Sequence, residues 1–220
     1  MSKNCVIFDL DGTLIDTVPD IMALVNGLLA ENKHPPLPVE KGKFLLGLGS
    51  HFLIEQMCRL AGIDADKDEI ERLFTRWLEI YSNAPMDKTA PFDGVCDTLT
   101  ALKKAGKKLA VCTNKPHAPA MYIIDKLNLR PYFDVILDAD SLPFRKPDPR
   151  PLLEAIRLMD GDVAESVMVG DSEPDAKAAE NAKIPLILMT YGYALQPFET
   201  IPAAALADDF KQIPSLLDTL

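Results

Sequence analysis

Residues 5–14 read Cys5-Val6-Ile7-Phe8-Asp9-Leu10-Asp11-Gly12-Thr13-Leu14. Cys5–Phe8 is a short run that is apolar on both faces, which suits a strand buried on both sides in a parallel sheet covered by helices. The chain turns polar at Asp9. In open α/β sheets ligands bind beyond the carboxyl ends of strands, so Asp9 and Asp11 stand where chemistry is expected. Gly12 lets the backbone turn sharply and approach an anion closely. Alone, an Asp-x-Asp pair is a weak signal, being often no more than a solvated turn.

Working outward, similar short apolar runs recur at Leu109–Cys112, Val135–Leu137, Val167–Val169 and Leu186–Met189, with a weaker one at Ala205–Ala207. Helical patterns lie between them. Asp93 is placed to cap one that closes at Gly106, and Pro149 to open another over Arg150–Met159. This alternation predicts a doubly wound, Rossmann-like parallel α/β sheet. It is interrupted once. Between Asp16 and about Pro91 only helical periods occur, at Ile21–Leu29, Phe52–Leu60 and Ile70–Ile80, with a turn at Pro35, Pro36 and Pro38. So long a stretch is not a structureless loop. The expected domains are a core of residues 1–15 and 89–220 and an inserted α-helical lobe of residues 16–88.

Three further strand ends carry chemistry. Thr113-Asn114-Lys115 offers a hydroxyl and amides to a phosphate, Lys146-Pro147-Asp148-Pro149 a positive charge, and Gly170-Asp171-Ser172-Glu173-Pro174-Asp175 two carboxylates at a helix start. Taken singly, each has a bland alternative: a turn, a surface dipeptide, an ordinary helix cap. All four at successive strand ends are far less expected by chance.

This set resembles the haloacid dehalogenase superfamily, whose four motifs match Asp9–Leu14, Thr113–Asn114, Lys146 and Gly170–Asp175. The resemblance covers essentially the whole chain, because the helical insert matches the family's cap. Asp11 points to a phosphatase or phosphomutase, since the dehalogenases lack an acid there. One departure concerns local turn geometry: Ala182-Lys183 stands where the family often has Ala-Gly.

The resemblance implies Mg²⁺ held by the Asp9 and Asp171 side chains and the Asp11 carbonyl. Asp9 is then the nucleophile that forms an aspartyl-phosphate. Asp11 is the acid that protonates the leaving oxygen and later the base that activates water; neighbouring carboxylates would help it hold its proton at first. Thr113 and Asn114, with the close approach at Gly12, hold the phosphoryl group, and Lys146 balances charge. Asp175 orients the metal site or Lys146. In the cap, Gly47-Leu48-Gly49-Ser50 is a candidate substrate-reading loop, flanked by Lys43 and His51, which could meet a carboxylate or second phosphate or simply be solvated. His117 could point outward, and Trp77 reads as cap core.

The run Lys146–Leu153 and the cap loop look most like phosphoglycolate phosphatases. A pyrophosphatase and a β-phosphoglucomutase-type enzyme share the same core. A non-catalytic module that binds a phosphorylated ligand or a protein is the alternative of a different class.

Composition bounds the partners. The chain has 220 residues, 48% hydrophobic and 25% charged, with a formal net charge of −10. That charge argues against nucleic acid and anionic membranes, which need a cationic face, but not against a small phosphorylated metabolite met by a metal ion and lysines. Cys5, Cys58, Cys96 and Cys112 have neither C-x-x-C nor Cys/His spacing. With no signal-peptide pattern after Lys3 and no apolar run long enough to span a bilayer, the expectation is a cytoplasmic protein with reduced thiols, monomer or homodimer.

Overall fold

The computed structural model describes residues 3–47, 49–84 and 86–220. It divides into two compact units, one of Met1–Asp16 with Ala90–Leu220 and the other of Thr17–Thr89. The strands are β1 (Cys5–Phe8), β2 (Ile15–Asp16), β3 (Ala90–Pro91), β4 (Lys108–Cys112), β5 (Val135–Leu137), β6 (Ser166–Gly170), β7 (Leu186–Met189) and β8 (Ala205–Ala207). The helices are α1 (Val18–Glu31), α2 (Ser50–Ala61) and α3 (Lys67–Ser82) in the second unit. In the first they are α4 (Val95–Lys104), α5 (His117–Lys126), α6 (Arg150–Leu158), α7 (Glu173–Ala182) and α8 (Ile213–Leu217).

Among the described residues, six strands form one parallel sheet in the order β5-β4-β1-β6-β7-β8. This is the doubly wound α/β class that the apolar runs predict. All of β1 is buried, and Ile7 packs with Ala110, Met168 and the helix residues Leu152, Ile156 and Ala179 in one core. The register sets Phe8 opposite both Val111 and Val169. Asp9 therefore leaves the sheet level with Cys112 and Gly170, and the loops after β4 and β6 flank it on either side. The chain runs from β1 outward to β5 and then returns to β6 on the other side of β1. That reversal is the topological switch point, where such sheets open a crevice.

Three local features differ from expectation. Ile15 and Asp16 pair antiparallel with Pro91 and Ala90 as a two-residue ribbon, too short to show periodicity. The division between units correspondingly falls one residue later at each end than expected. Asp93 does not cap α4; Gly94 is the N-cap, at φ 78°, while the Asp93 carboxylate bonds the Lys211 ammonium at 2.5 Å. At the C-cap of α7, Lys183 adopts φ 58°, so the family's turn survives with a lysine in the left-handed conformation that a glycine would take without strain.

The second unit packs α1, α2 and α3 around Leu28, Leu29, Leu53, Met57, Leu73 and Trp77. Leu73, Trp77 and Tyr81 recur every four residues along one face of α3, and the Trp77 and Tyr81 rings stack at 5.2 Å. Asp66 caps α3 by accepting the Glu69 N–H at 2.9 Å, and Gly62 closes α2 at φ 69°. Among the described residues no helix is long and apolar enough to cross a membrane.

Candidate active site

Asp9 follows β1, with its N–H bonded to the Val169 carbonyl at 2.9 Å. Its Oδ1 accepts the Leu10 N–H at 2.7 Å and meets the Lys146 ammonium at 2.8 Å. Lys146, whose side chain is 2% exposed, also reaches Asp175 Oδ1 at 2.6 Å. Asp175 uses its other oxygen to accept the Ser172 hydroxyl at 2.9 Å and the N–H groups of Asp171 and Ser172 at 3.2 Å. Ser172 and Asp175 thus form a capping box on α7 that also holds Lys146.

Asp171 is seated from both sides. Its Oδ1 accepts the Thr13 hydroxyl at 2.9 Å and its Oδ2 the Tyr193 N–H at 2.7 Å. Any side chain at Gly12 or Gly192 would overlap this carboxylate. Gly12, at φ 83°, is the tight point of a loop in which the Leu14 and Ile15 N–H groups both bond back to the Leu10 carbonyl. The Tyr191 hydroxyl donates to the Thr13 carbonyl at 2.7 Å and braces the same loop.

Asp9, Asp171 and Asp175 each offer a carboxylate oxygen, all within 4.8 Å of one another. Burial pushes the Asp9 carboxyl up to about 7, with the Lys146 charge opposing and the Asp175 charge adding. Burial first, then the charges of Asp175 and Asp9, also raise Asp171 well above the carboxylate range. Burial would depress Lys146, but Asp175 and Asp9 outweigh it and the net shift is upward. The Lys146 ammonium is bonded to Asp9 and Asp175 but not to Asp171, and a divalent cation would offset the burial and mutual repulsion that raise Asp9 and Asp171. The donors are all oxygens, which suits a hard cation such as Mg²⁺. Asp175 spends both oxygens on Lys146 and the helix cap, so Asp9 and Asp171 are the side chains suited to bind one.

Asp11 lies apart from this set. Carboxylates are expected beside it, but those neighbours surround Asp9 and Asp171. Asp11 is instead gripped by Lys115, whose ammonium lies 2.9 and 3.1 Å from its two oxygens. Thr113 is buried, and its hydroxyl oxygen accepts the Lys115 N–H at 3.1 Å, leaving its own proton to donate. The Asn114 amide donates to the Lys146 carbonyl at 2.8 Å, tying the loop after β4 to the one that carries Lys146. A cis peptide bond joins Lys146 to Pro147. His117 bonds the buried Asp138 through Nδ1 at 2.6 Å while its side chain is largely exposed.

The remaining candidates belong to the second unit. Gly47 and Gly49 have φ 97° and 91°, and Gly49 is the N-cap of α2; Leu48 between them lies outside the described residues. Lys43 is exposed, with its ammonium 5.3 Å from the Phe44 ring centre. His51 is exposed between Glu71 at 3.0 Å and Glu55 at 3.3 Å. These are surface arrangements within that unit.

Three contributors escape sequence reasoning. The Tyr193 N–H and Gly192 reach Asp171 only because the loop after β7 passes beside it, and nothing in Tyr191-Gly192-Tyr193 signals that. Lys115 had a signal, a cation next to a strand-end Thr-Asn, but its partner Asp11 is 104 residues away.

Comparison with known proteins agrees with the motif pattern. The chain is 39% identical to a phosphoglycolate phosphatase of Caulobacter vibrioides, over 98% of this chain and 91% of that one. It is 37% identical to one of Agrobacterium fabrum, over 97% and 92%. A crystal structure described as a predicted phosphoglycolate phosphatase from Haemophilus somnus superposes with a TM-score of 0.84 at 28% identity, covering 97% of both chains. The profile of haloacid dehalogenase-like hydrolases matches residues 6–189, a span that takes in Asp9, Asp11, Thr113, Lys146, Asp171 and Asp175. The chain therefore belongs to the haloacid dehalogenase-like hydrolase family.

Proposed function

We propose that the chain is a Mg²⁺-dependent phosphatase that hydrolyses a small phosphomonoester, 2-phosphoglycolate, through a phosphorylated Asp9. The observation that carries this reading is the buried Asp9–Lys146–Asp175 chain beside Asp171. The substrate rests on the names of the relatives at 39% and 37% identity. A cytoplasmic setting, the four cysteines being free thiols, goes with it.

The task is large. Phosphate-monoester hydrolysis is accelerated by up to ~10²¹-fold, close to 30 kcal/mol. General acid–base help supplies about 10²–10⁴-fold, so most of the rest must come from charge neutralisation and in-line positioning. Asp9 Oδ2 is the oxygen for attack, because both bonds to Asp9 hold Oδ1 and so fix the carboxylate plane. Lys146 offsets charge that builds between Asp9 and the phosphoryl group. The Thr113 hydroxyl and the backbone at Gly12 receive the phosphoryl oxygens. Asp11 passes to the leaving oxygen a proton that the ester's own phosphate brings when it binds as the monoanion, and later takes one from the water that cleaves the acyl phosphate. Asp9, Asp171 and the Asp11 carbonyl would hold Mg²⁺, which supplies positive charge to the phosphoryl oxygens. Asp175 orients Lys146. The Thr17–Thr89 unit acts as the cap that excludes water during attack, with Gly47–Ser50, Lys43 and His51 as its substrate-facing candidates.

The test is phosphate release with Mg²⁺ from 2-phosphoglycolate, pyrophosphate, hexose phosphates and nucleotides, with Asp9→Asn beside the wild type. We expect 2-phosphoglycolate to be preferred, and Asp9→Asn to lose at least ~10³-fold in kcat. Preference for a hexose phosphate would overturn the substrate, and near-normal turnover by Asp9→Asn would overturn the nucleophile.

A further inference from the structure

Lys115 has no part in the mechanism above, yet it is a deliberately placed cation. Its side chain is 2% exposed, its N–H bonds the Thr113 hydroxyl, and its carbonyl accepts the Ala139 N–H at 3.0 Å. Main chain and side chain are thus held, with the ammonium on both oxygens of Asp11. Burying a lysine is costly unless it meets a charge. A surface position would have avoided that cost.

We propose that Lys115 is the carboxylate-recognition residue of this site, and that it selects phosphomonoesters whose carboxylate stands one carbon from the ester oxygen. The proposal rests on the assignment of Asp11 as the group facing the leaving oxygen. A leaving oxygen within hydrogen-bond reach of Asp11 is about 3 Å from it. In such an ester the carboxyl carbon is roughly 2.5 Å beyond that oxygen. An ammonium 2.9–3.1 Å from the Asp11 oxygens is then close enough for the substrate carboxylate to join Asp11 on it. One more methylene would carry the carboxylate past the ammonium, and an uncharged ester would leave it nothing to bind.

Charge accounting supports the assignment. Lys146 is committed to Asp9 and Asp175, and the phosphoryl group would draw on it and on Mg²⁺ held by Asp9 and Asp171. A substrate carboxylate would enter a site that already holds Asp9, Asp11, Asp171 and Asp175. It needs a cation of its own, and Lys115 stands at the leaving-group end. Lys43 and His51, the sequence-based candidates for this task, are exposed residues of the other unit. A buried, pre-positioned ammonium discriminates carboxylates better than an exposed one, because its attraction is less screened and less ordering is lost on binding.

The experiment measures kcat and KM with Mg²⁺ for 2-phosphoglycolate, 3-phosphopropionate and ethyl phosphate, on wild type, Lys115→Met and Lys115→Arg. We expect the wild type to rank them in that order. In Lys115→Met the ratio of kcat/KM for 2-phosphoglycolate over ethyl phosphate should fall by roughly 10- to 100-fold, chiefly through KM. Lys115→Arg should recover part of it. An unchanged ratio, with both esters losing equally, would show that Lys115 only holds Asp11 and would overturn the proposal. A wild type that cleaves ethyl phosphate as well as 2-phosphoglycolate would overturn it without any variant. A wild type inert toward all three esters would instead strike the phosphatase reading on which the proposal rests.

Discussion

Both units of the chain carry surface ion pairs, but among the described residues only the unit of the parallel sheet also pairs buried lysines with carboxylates. In the Thr17–Thr89 unit they lie on the surface: Arg76 bonds Glu31 and Glu79 at 2.9 Å, Arg72 bonds Glu69 at 2.7 Å, and His51 bridges Glu55 and Glu71. In the other unit Lys146 and Lys115, each 2% exposed, hold Asp9, Asp175 and Asp11 beyond the carboxyl ends of the strands. The distances are alike, and the energetics are not. Water screens the first set, and each pair spends side-chain entropy to form. The second set has given up its hydration, so each partner depends on the other. An ion pair length therefore says little about its role; burial, and an excess of one sign within it, say much more.

The sharpest way to break this comparison is Lys146→Met. Removing the ammonium strands Asp9 and Asp175, and we expect a loss of ~3–5 kcal/mol in unfolding free energy together with loss of turnover. Urea denaturation checks the first and phosphate release the second. An unchanged midpoint would mean that the cluster is not held by this charge.

A smaller effect concerns pH and metal. Asp9 is raised in the folded chain from 3.8 to about 7, and Asp171 moves the same way, so the folded state binds these protons more tightly than the unfolded one. Without metal, the destabilisation due to Asp9 is fully present above about pH 7 and fades as the pH falls toward 3.8, and Asp171 adds to it in the same direction. A divalent cation competes with those protons. Mg²⁺ should accordingly raise the melting temperature more at pH 8 than at pH 5.5. An equal or larger rise at pH 5.5 would place the metal elsewhere.

The smallest effect is expected in the other unit. Arg76→Ala removes the links to Glu31 and Glu79 from an exposed surface, and the melting temperature should stay close to wild type. A large drop would mean that this surface network is coupled more tightly than screened pairs allow.

Much of the fold was legible from residues alone. Cys5–Phe8 and the four runs like it are apolar on both faces, and burial between two helical layers is the arrangement that hides them. Helices α1, α2 and α3 announce themselves through 3.6-residue periods. The ribbon of Ile15–Asp16 with Ala90–Pro91 does not, since two residues have no period and the pairing spans 74 to 76 positions. Asp93 shows the limit of cap rules: Gly94 serves as N-cap while Lys211 claims the aspartate.

For the site, sequence by itself determined which chemical groups stand at the ends of the strands, because strand, turn and polar residue follow one another locally. Only the tertiary structure decided which of them meet. Lys146 pairs with Asp9 and Asp175, Lys115 with Asp11, and the Tyr193 N–H with Asp171, across separations of up to 137 residues. Strand order and parallel register bring these groups together, and both are set by burial of the whole sheet rather than by any local stretch of chain.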